Sequence, residues 1–85
     1  MLDIERTNTI AEVLLKLLRK GTVLAIAKYS HPDDDFLFLV LIQTDRDFVV
    51  WDYNNITGGC STGNYFPYHW GAAACFKERF ERHCS

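Results

Sequence analysis

No stretch of this chain stays apolar long enough to cross a membrane. The longest unbroken run is Phe36–Ile42, seven residues, where a spanning helix needs roughly 20. Cysteine is scarce and odd in number. Cys60, Cys75 and Cys84 form no C-x-x-C pair, which argues against a disulfide framework and for reduced thiols. Basic residues are missing where a nucleic-acid surface would want them. Between Asp47 and Phe76 there is no Lys or Arg, although that interval holds Trp51, Tyr53, Tyr65, Tyr68 and Trp70. Phosphate recognition needs cations beside stacking rings, so direct nucleic-acid binding is not expected. Internal repeats, linkers and low-complexity segments are also absent. Met1-Leu2-Asp3-Ile4-Glu5-Arg6 lacks the basic-then-apolar order of a secretion signal, and the expected compartment is the cytoplasm. Asn55-Ile56-Thr57 fits the glycosylation pattern, but without such a signal it reads as a chance match.

What is present describes one small core. Eighty-five residues leave no room for a second domain. With 48 % hydrophobic and 24 % charged residues, the composition is that of a globular chain rather than a disordered one. Six Phe, four Tyr and two Trp are many for this length and supply much of the core and any adhesive surface.

The expected fold is α+β, a three- to four-stranded antiparallel meander between an N-terminal and a C-terminal helix. An N-terminal arm covers 1–8. Thr9-Ile10-Ala11-Glu12 is a capping box. Ile10, Val13, Leu14, Leu17 and Leu18 then recur at helical spacing, which predicts a helix over 9–20 ending at Gly21 and covered on more than one side. Thr22–Tyr29 is a β-branched run that stops at the turn His31-Pro32-Asp33-Asp34-Asp35. Phe36–Gln43 has no polar alternation and reads as a central strand buried on both faces. After the turn Thr44-Asp45-Arg46-Asp47 comes a third strand, Phe48–Tyr53, so the meander spans 22–53. Residues 54–69 read as a glycine-rich loop followed by a short edge strand, Asn64–Phe66, which Pro67 ends. Ala73, Phe76, Phe80 and Cys84 carry helical spacing through a second helix at 70–83.

The central strand poses a physical question. Its two alternating sets, Phe36, Phe38, Val40, Ile42 and Leu37, Leu39, Leu41, each bury several hundred Å2. At about 25 cal/mol/Å2 that is on the order of 5–10 kcal/mol per set as an upper bound, too much to leave in water. Either the helices take opposite faces, or the second face meets another chain.

Candidate chemistry is thin. Gly58-Gly59-Cys60-Ser61-Thr62-Gly63 invites comparison with phosphate cradles, which lead from a strand into a helix and often supply a lysine. Here Tyr65-Phe66-Pro67 follows and no lysine is present, so a plain hairpin loop is the better reading. Cys60 with His69 is the pair from which an alternative could be built, a small enzyme or ligand-binding subunit at this loop. Cys60, His69, His83 and Cys84 have the right atoms for zinc but no recognised ligand spacing. Asp33-Asp34-Asp35 lacks the alternation of an acidic calcium loop. No catalytic residue, metal site or cofactor is therefore assigned.

Charge and aromatics carry more. Residues 1–30 have a net charge of +2 and residues 77–85 of +1, whereas residues 31–76 have −5. Rings beside acidic and amide groups suit a protein contact surface, with rigid area from the rings and orientation from the polar groups. The expected partner-binding residues are Trp51, Asp52, Tyr53, Asn54, Asn55, Tyr65 and Tyr68. Trp51 and Phe66 weigh toward core edge, while Tyr53, Tyr65 and Tyr68 stand open between core and surface. A negative surface favours a basic protein partner and acts mainly on association rate. A homodimer through the sheet's second face is the third reading.

Val50-Trp51-Asp52-Tyr53-Asn54, Gly58-Gly59, Gly63-Asn64-Tyr65-Phe66, Ala73, Phe76 and Arg79 together resemble small uncharacterised bacterial or phage αβββα proteins that share a W-x-Y-N…G-G…G-x-Y-F…A…F pattern. The resemblance covers roughly 35 residues, implies strand, glycine loop, short strand and helix, and brings no catalytic residues with it. In size and layout the chain is also similar to phage-borne inhibitors of host defence of the anti-CRISPR type. That likeness implies a non-enzymatic inhibitor of a basic host protein.

Overall fold

The computed structural model describes residues 9–85, so the arm at 1–8 lies outside the described residues. Thr9 opens the first helix. Its hydroxyl accepts the Glu12 amide at 3.2 Å, one half of the capping box. The Glu12 carboxylate pairs with Lys16 at 3.1 Å and accepts from the Asn55 side chain at 3.0 Å. Helix α1 covers Ile10–Lys16, and turns carry the chain from there to Gly21. It is shorter than the apolar spacing predicts, and it is covered on one side only. Val13 and Leu17 are fully buried, whereas Leu15 is 72 % and Leu18 70 % exposed.

Four strands follow: β1 (Thr22–Lys28), β2 (Leu37–Gln43), β3 (Phe48–Asn54) and β4 (Cys60–Phe66), then helix α2 (His69–His83). They form one antiparallel sheet in the order β1-β2-β3-β4, the α+β meander that the short turns require. A 3-10 turn, Pro32–Asp34, joins β1 to β2. The edge strand is longer than the expected Asn64–Phe66 piece, because Cys60–Gly63 of the expected glycine loop are strand as well. Asn54 makes this tight return: its Oδ1 accepts the Ile56 and Thr57 amides at 2.8 and 3.1 Å, and its own amide reaches Gly59 O at 2.9 Å. Gly58 supplies the positive φ of 78° at which a side chain would be strained.

The two sets of the central strand go to opposite helices. Phe38, Val40 and Ile42 pack with Val13, Leu17, Val49 and Tyr53 on the α1 side. Leu39 and Leu41 pack with Val50 and Ala72 on the α2 side. Both faces of β2 are thus covered within one chain, the first of the two arrangements open from the sequence. Side chains alternate along a strand, so β3 divides as well: Trp51 and Tyr53 face α1, and Asp52 faces α2. No helix among the described residues is long and apolar enough to cross a membrane.

Candidate functional site

An irregularity between β3 and β4 organises the α2 side. Val50 pairs with Asn64 but Asp52 with Ser61, so two residues of β4, Thr62 and Gly63, oppose Trp51 alone. Thr62 takes a φ of 55°, the left-handed conformation that one class of β-bulge uses. A bulge interrupts the ladder, and carbonyls it releases need other donors. Arg79 supplies them from α2. Its Nη1 donates to Val50 O at 3.2 Å, Thr62 O at 2.9 Å and Asn64 Oδ1 at 2.9 Å. Its Nη2 lies 2.9 Å from Asp52 Oδ1 as an ion pair, out of line for a well-formed hydrogen bond.

Asp52 also accepts the Tyr29 hydroxyl at 2.7 Å. Burial, reinforced by the facing carboxylate, pushes the Tyr29 phenol well above its ordinary range. The ring of Tyr29 stacks on His83 at 5.0 Å, and His83 O accepts from the Ser30 amide at 3.0 Å. One buried charge pair therefore links β3, β4, α2 and Tyr29, the residue that follows β1. Beside it opens a cleft of about 420 Å3 reached by Thr62, Asn64, Cys75, Glu78, Arg82 and His83. Its ionised groups are matched: Arg79 with Asp52, and Arg82 with Glu78 at 3.8 Å. The Cys75 thiol is turned to Asn64 Oδ1 at 3.6 Å. Burial raises the Cys84 thiol to about 11, so it is protonated at neutral pH, the opposite of an activated nucleophile.

The structure separates the expected contact residues. Tyr53 is 3 % exposed in the α1-side core and Asn55 is 9 % exposed, so the expectation that they line a partner surface is corrected. Tyr53 faces inward by strand parity. Asn55 is drawn in because Lys16 Nζ donates to its Oδ1 at 2.9 Å, tying α1 to the β3–β4 return. Asp52 is occupied by Arg79 and Tyr29, and Asn54 builds the turn. Trp51 is half-buried, edge-on to Tyr65 at 6.1 Å, with Lys20 Nζ 6.0 Å from its ring centre. Tyr65 and Tyr68 are exposed, at 60 % and 62 %.

Trp70 was not among the expected contacts, yet it is 68 % exposed and stacks on Tyr68 at 6.2 Å with 6° between the ring planes. With Phe66, Pro67 and Gly71 the two rings line a shallow apolar groove of about 190 Å3. Ring density in Tyr65–Trp70 was the available signal. What it lacked was the knowledge that α2 begins at His69 and turns both rings outward.

The Cys60–His69 pair does not assemble. Cys60 opens β4 opposite Tyr53, and His69 follows its far end, its ring 6.2 Å from Phe48. Six steps along the strand at about 3.3 Å each hold the two ends roughly 20 Å apart. Burial also raises the Cys60 thiol. No group of three or more His, Cys, Asp or Glu among the described residues is arranged to hold a metal ion. No protein-family profile, curated protein or solved structure matches the chain.

Proposed function

We propose that this chain is a non-enzymatic protein-interaction module whose contact surface is the ring groove at the start of α2. The observation that carries this reading is the parallel, solvent-facing Tyr68–Trp70 pair over an apolar groove. Two large rings in water are costly unless a partner covers them, and Tyr and Trp in a pocket-forming cluster are typical anchors of protein interfaces. The acidic turn 44–47 precedes Phe48, whose ring meets His69 between the two anchors. Asp45 is exposed there, and together with Asp33 and Asp35 it steers a basic partner toward the molecule without entering the contact. A module of this kind acts by occlusion, which suits an inhibitor of a basic host protein.

The test compares immobilised wild-type chain with Tyr68→Ser/Trp70→Ser in capture from a bacterial lysate, read by mass spectrometry. Leu15→Ser/Leu18→Ser, on the far side of the sheet, serves as control. A partner retained by wild type and control but lost by the ring variant, with unchanged circular dichroism, supports the reading. Equal capture by all three removes it.

A further inference from the structure

We propose that β4 is a self-association edge that pairs antiparallel with β4 of a second copy, extending the sheet from four strands to eight. Among the described residues the strand borders β3 alone, so its outer backbone groups meet no other described strand. Such a row is a template for another strand, and proteins that must stay apart blunt it with charge, proline or a bulge. This edge has a bulge at Thr62 and Pro67 just past its end, but it carries no charge. From Tyr53 to Phe76 there is no Asp, Glu, Lys or Arg in a chain that is 24 % charged. The other edge, β1, ends in Lys28 and tucks Val23 and Ile26 against the α1-side core.

A second observation is independent of charge. Five consecutive β4 residues, Ser61–Tyr65, are exposed, so burial within one chain does not account for a seven-residue strand there. Its ends, Cys60 and Phe66, pack on the two cores, and between them it is held by the β3 ladder, the Arg79 bonds to Thr62 and Asn64, the Cys75–Asn64 contact and the Trp51–Tyr65 ring pair. The bulge at Thr62 limits regular pairing to Gly63–Phe66.

The occupant is a second copy because an uncharged edge opposes nothing to itself under two-fold symmetry, where the same patch serves both subunits. It offers no charge by which a basic partner would be chosen. One strand edge with Tyr65 falls short of the roughly 800 Å2 per partner of a stable interface, so the dimer is weak and concentration-dependent. This inference does not rest on the partner reading, since Tyr68 and Trp70 take no part in it.

Sedimentation equilibrium of the full chain from about 5 µM to about 500 µM tests it, the range in which small interfaces associate. The expected result is a monomer at the low end and a dimer at the high end. Tyr65→Lys and Tyr65→Glu are each expected to remain monomeric, and their equimolar mixture to recover the dimer. Hydrogen exchange on wild type covers the case in which either variant unfolds: the amides of 61–66 gain protection with concentration, and those of 22–28 do not. A monomer at 500 µM overturns the proposal, as does a dimer that both variants leave intact. Open-ended growth with protection on both edges assigns the contact to β1 against β4 and overturns it too. Edge protection that appears only on adding a different protein does the same.

Discussion

Replacing Arg79 with Met keeps most of the side chain's length and removes its charge and its donors. Asp52 is then a carboxylate only 16 % exposed with no cation, and Val50 O and Thr62 O lose the donor that the bulge obliges them to find. Removing one partner of a buried pair costs about 3–5 kcal/mol, because the other charge stays behind. A domain of 85 residues holds roughly 4–13 kcal/mol in all, at about 0.05–0.15 kcal/mol per residue. The lesion thus consumes a large share of the fold's stability and lowers Tm by roughly 12–40 °C at about 4–8 °C per kcal/mol. Urea melts followed by circular dichroism measure it, with Arg82→Met as reference. That residue's pair with Glu78 is open to solvent, and its removal costs less than about 1 kcal/mol. Asp52→Asn/Arg79→Met removes both charges, and its loss falls short of the summed single losses by about 0.5–3 kcal/mol. An Arg79→Met loss no larger than that of Arg82→Met refutes the reasoning, as does strict additivity of the double variant.

Two further outcomes follow from the same geometry. The Cys84 thiol titrates at about 11 in the fold against an ordinary 9, so the folded state holds its proton longer. Its contribution is complete below pH 9 and is lost as pH rises toward 11; Cys84→Ala flattens that part of a pH–stability curve, and an unchanged slope counts against it. Gly21 has a φ of 142°, and a Cβ there would strike the Gln43 carbonyl, whereas at Gly63 it would meet the Trp51 indole 2.7 Å away. Gly21→Ala therefore costs more stability than Gly63→Ala, because a backbone cannot swing aside; Gly63→Ala instead changes tryptophan emission, and the reverse order in urea melts contradicts this.

Local pattern made much of the fold legible. The uninterrupted apolar run of β2 marks a strand buried on both sides, the aspartate turns mark its ends, and short connections leave an antiparallel meander as the topology. Helix faces were harder. Helical spacing in α2 points to Ala73, Phe76 and Phe80, yet Ala73 and Phe80 face water, while Ala72 and Arg79 are buried. An arginine at the centre of an inward stripe looks like a break in that stripe unless its partners are known, and Asp52 and the bulge carbonyls are contributed by other strands. In α1 the spacing continues to Leu18, but the helix stops at Lys16; Leu18 past its end is exposed, and Leu15 lies on its outer side.

The candidate surfaces divide in the same way. That rings cluster between residues 48 and 70 while cations are missing there is a property of the chain, whatever its shape, and it turns attention from phosphates toward proteins. Which rings reach solvent is decided by strand parity, by the bulge at Thr62 and by the point at which α2 begins, all relations between residues distant in sequence. Hence Tyr53 is sealed under α1, Asp52 is neutralised by Arg79, and Tyr68 and Trp70 stand outside. Hydrophobicity sets how much must be buried; only the pairing of strands and the placement of helices decides which copies of the same side chain are left over.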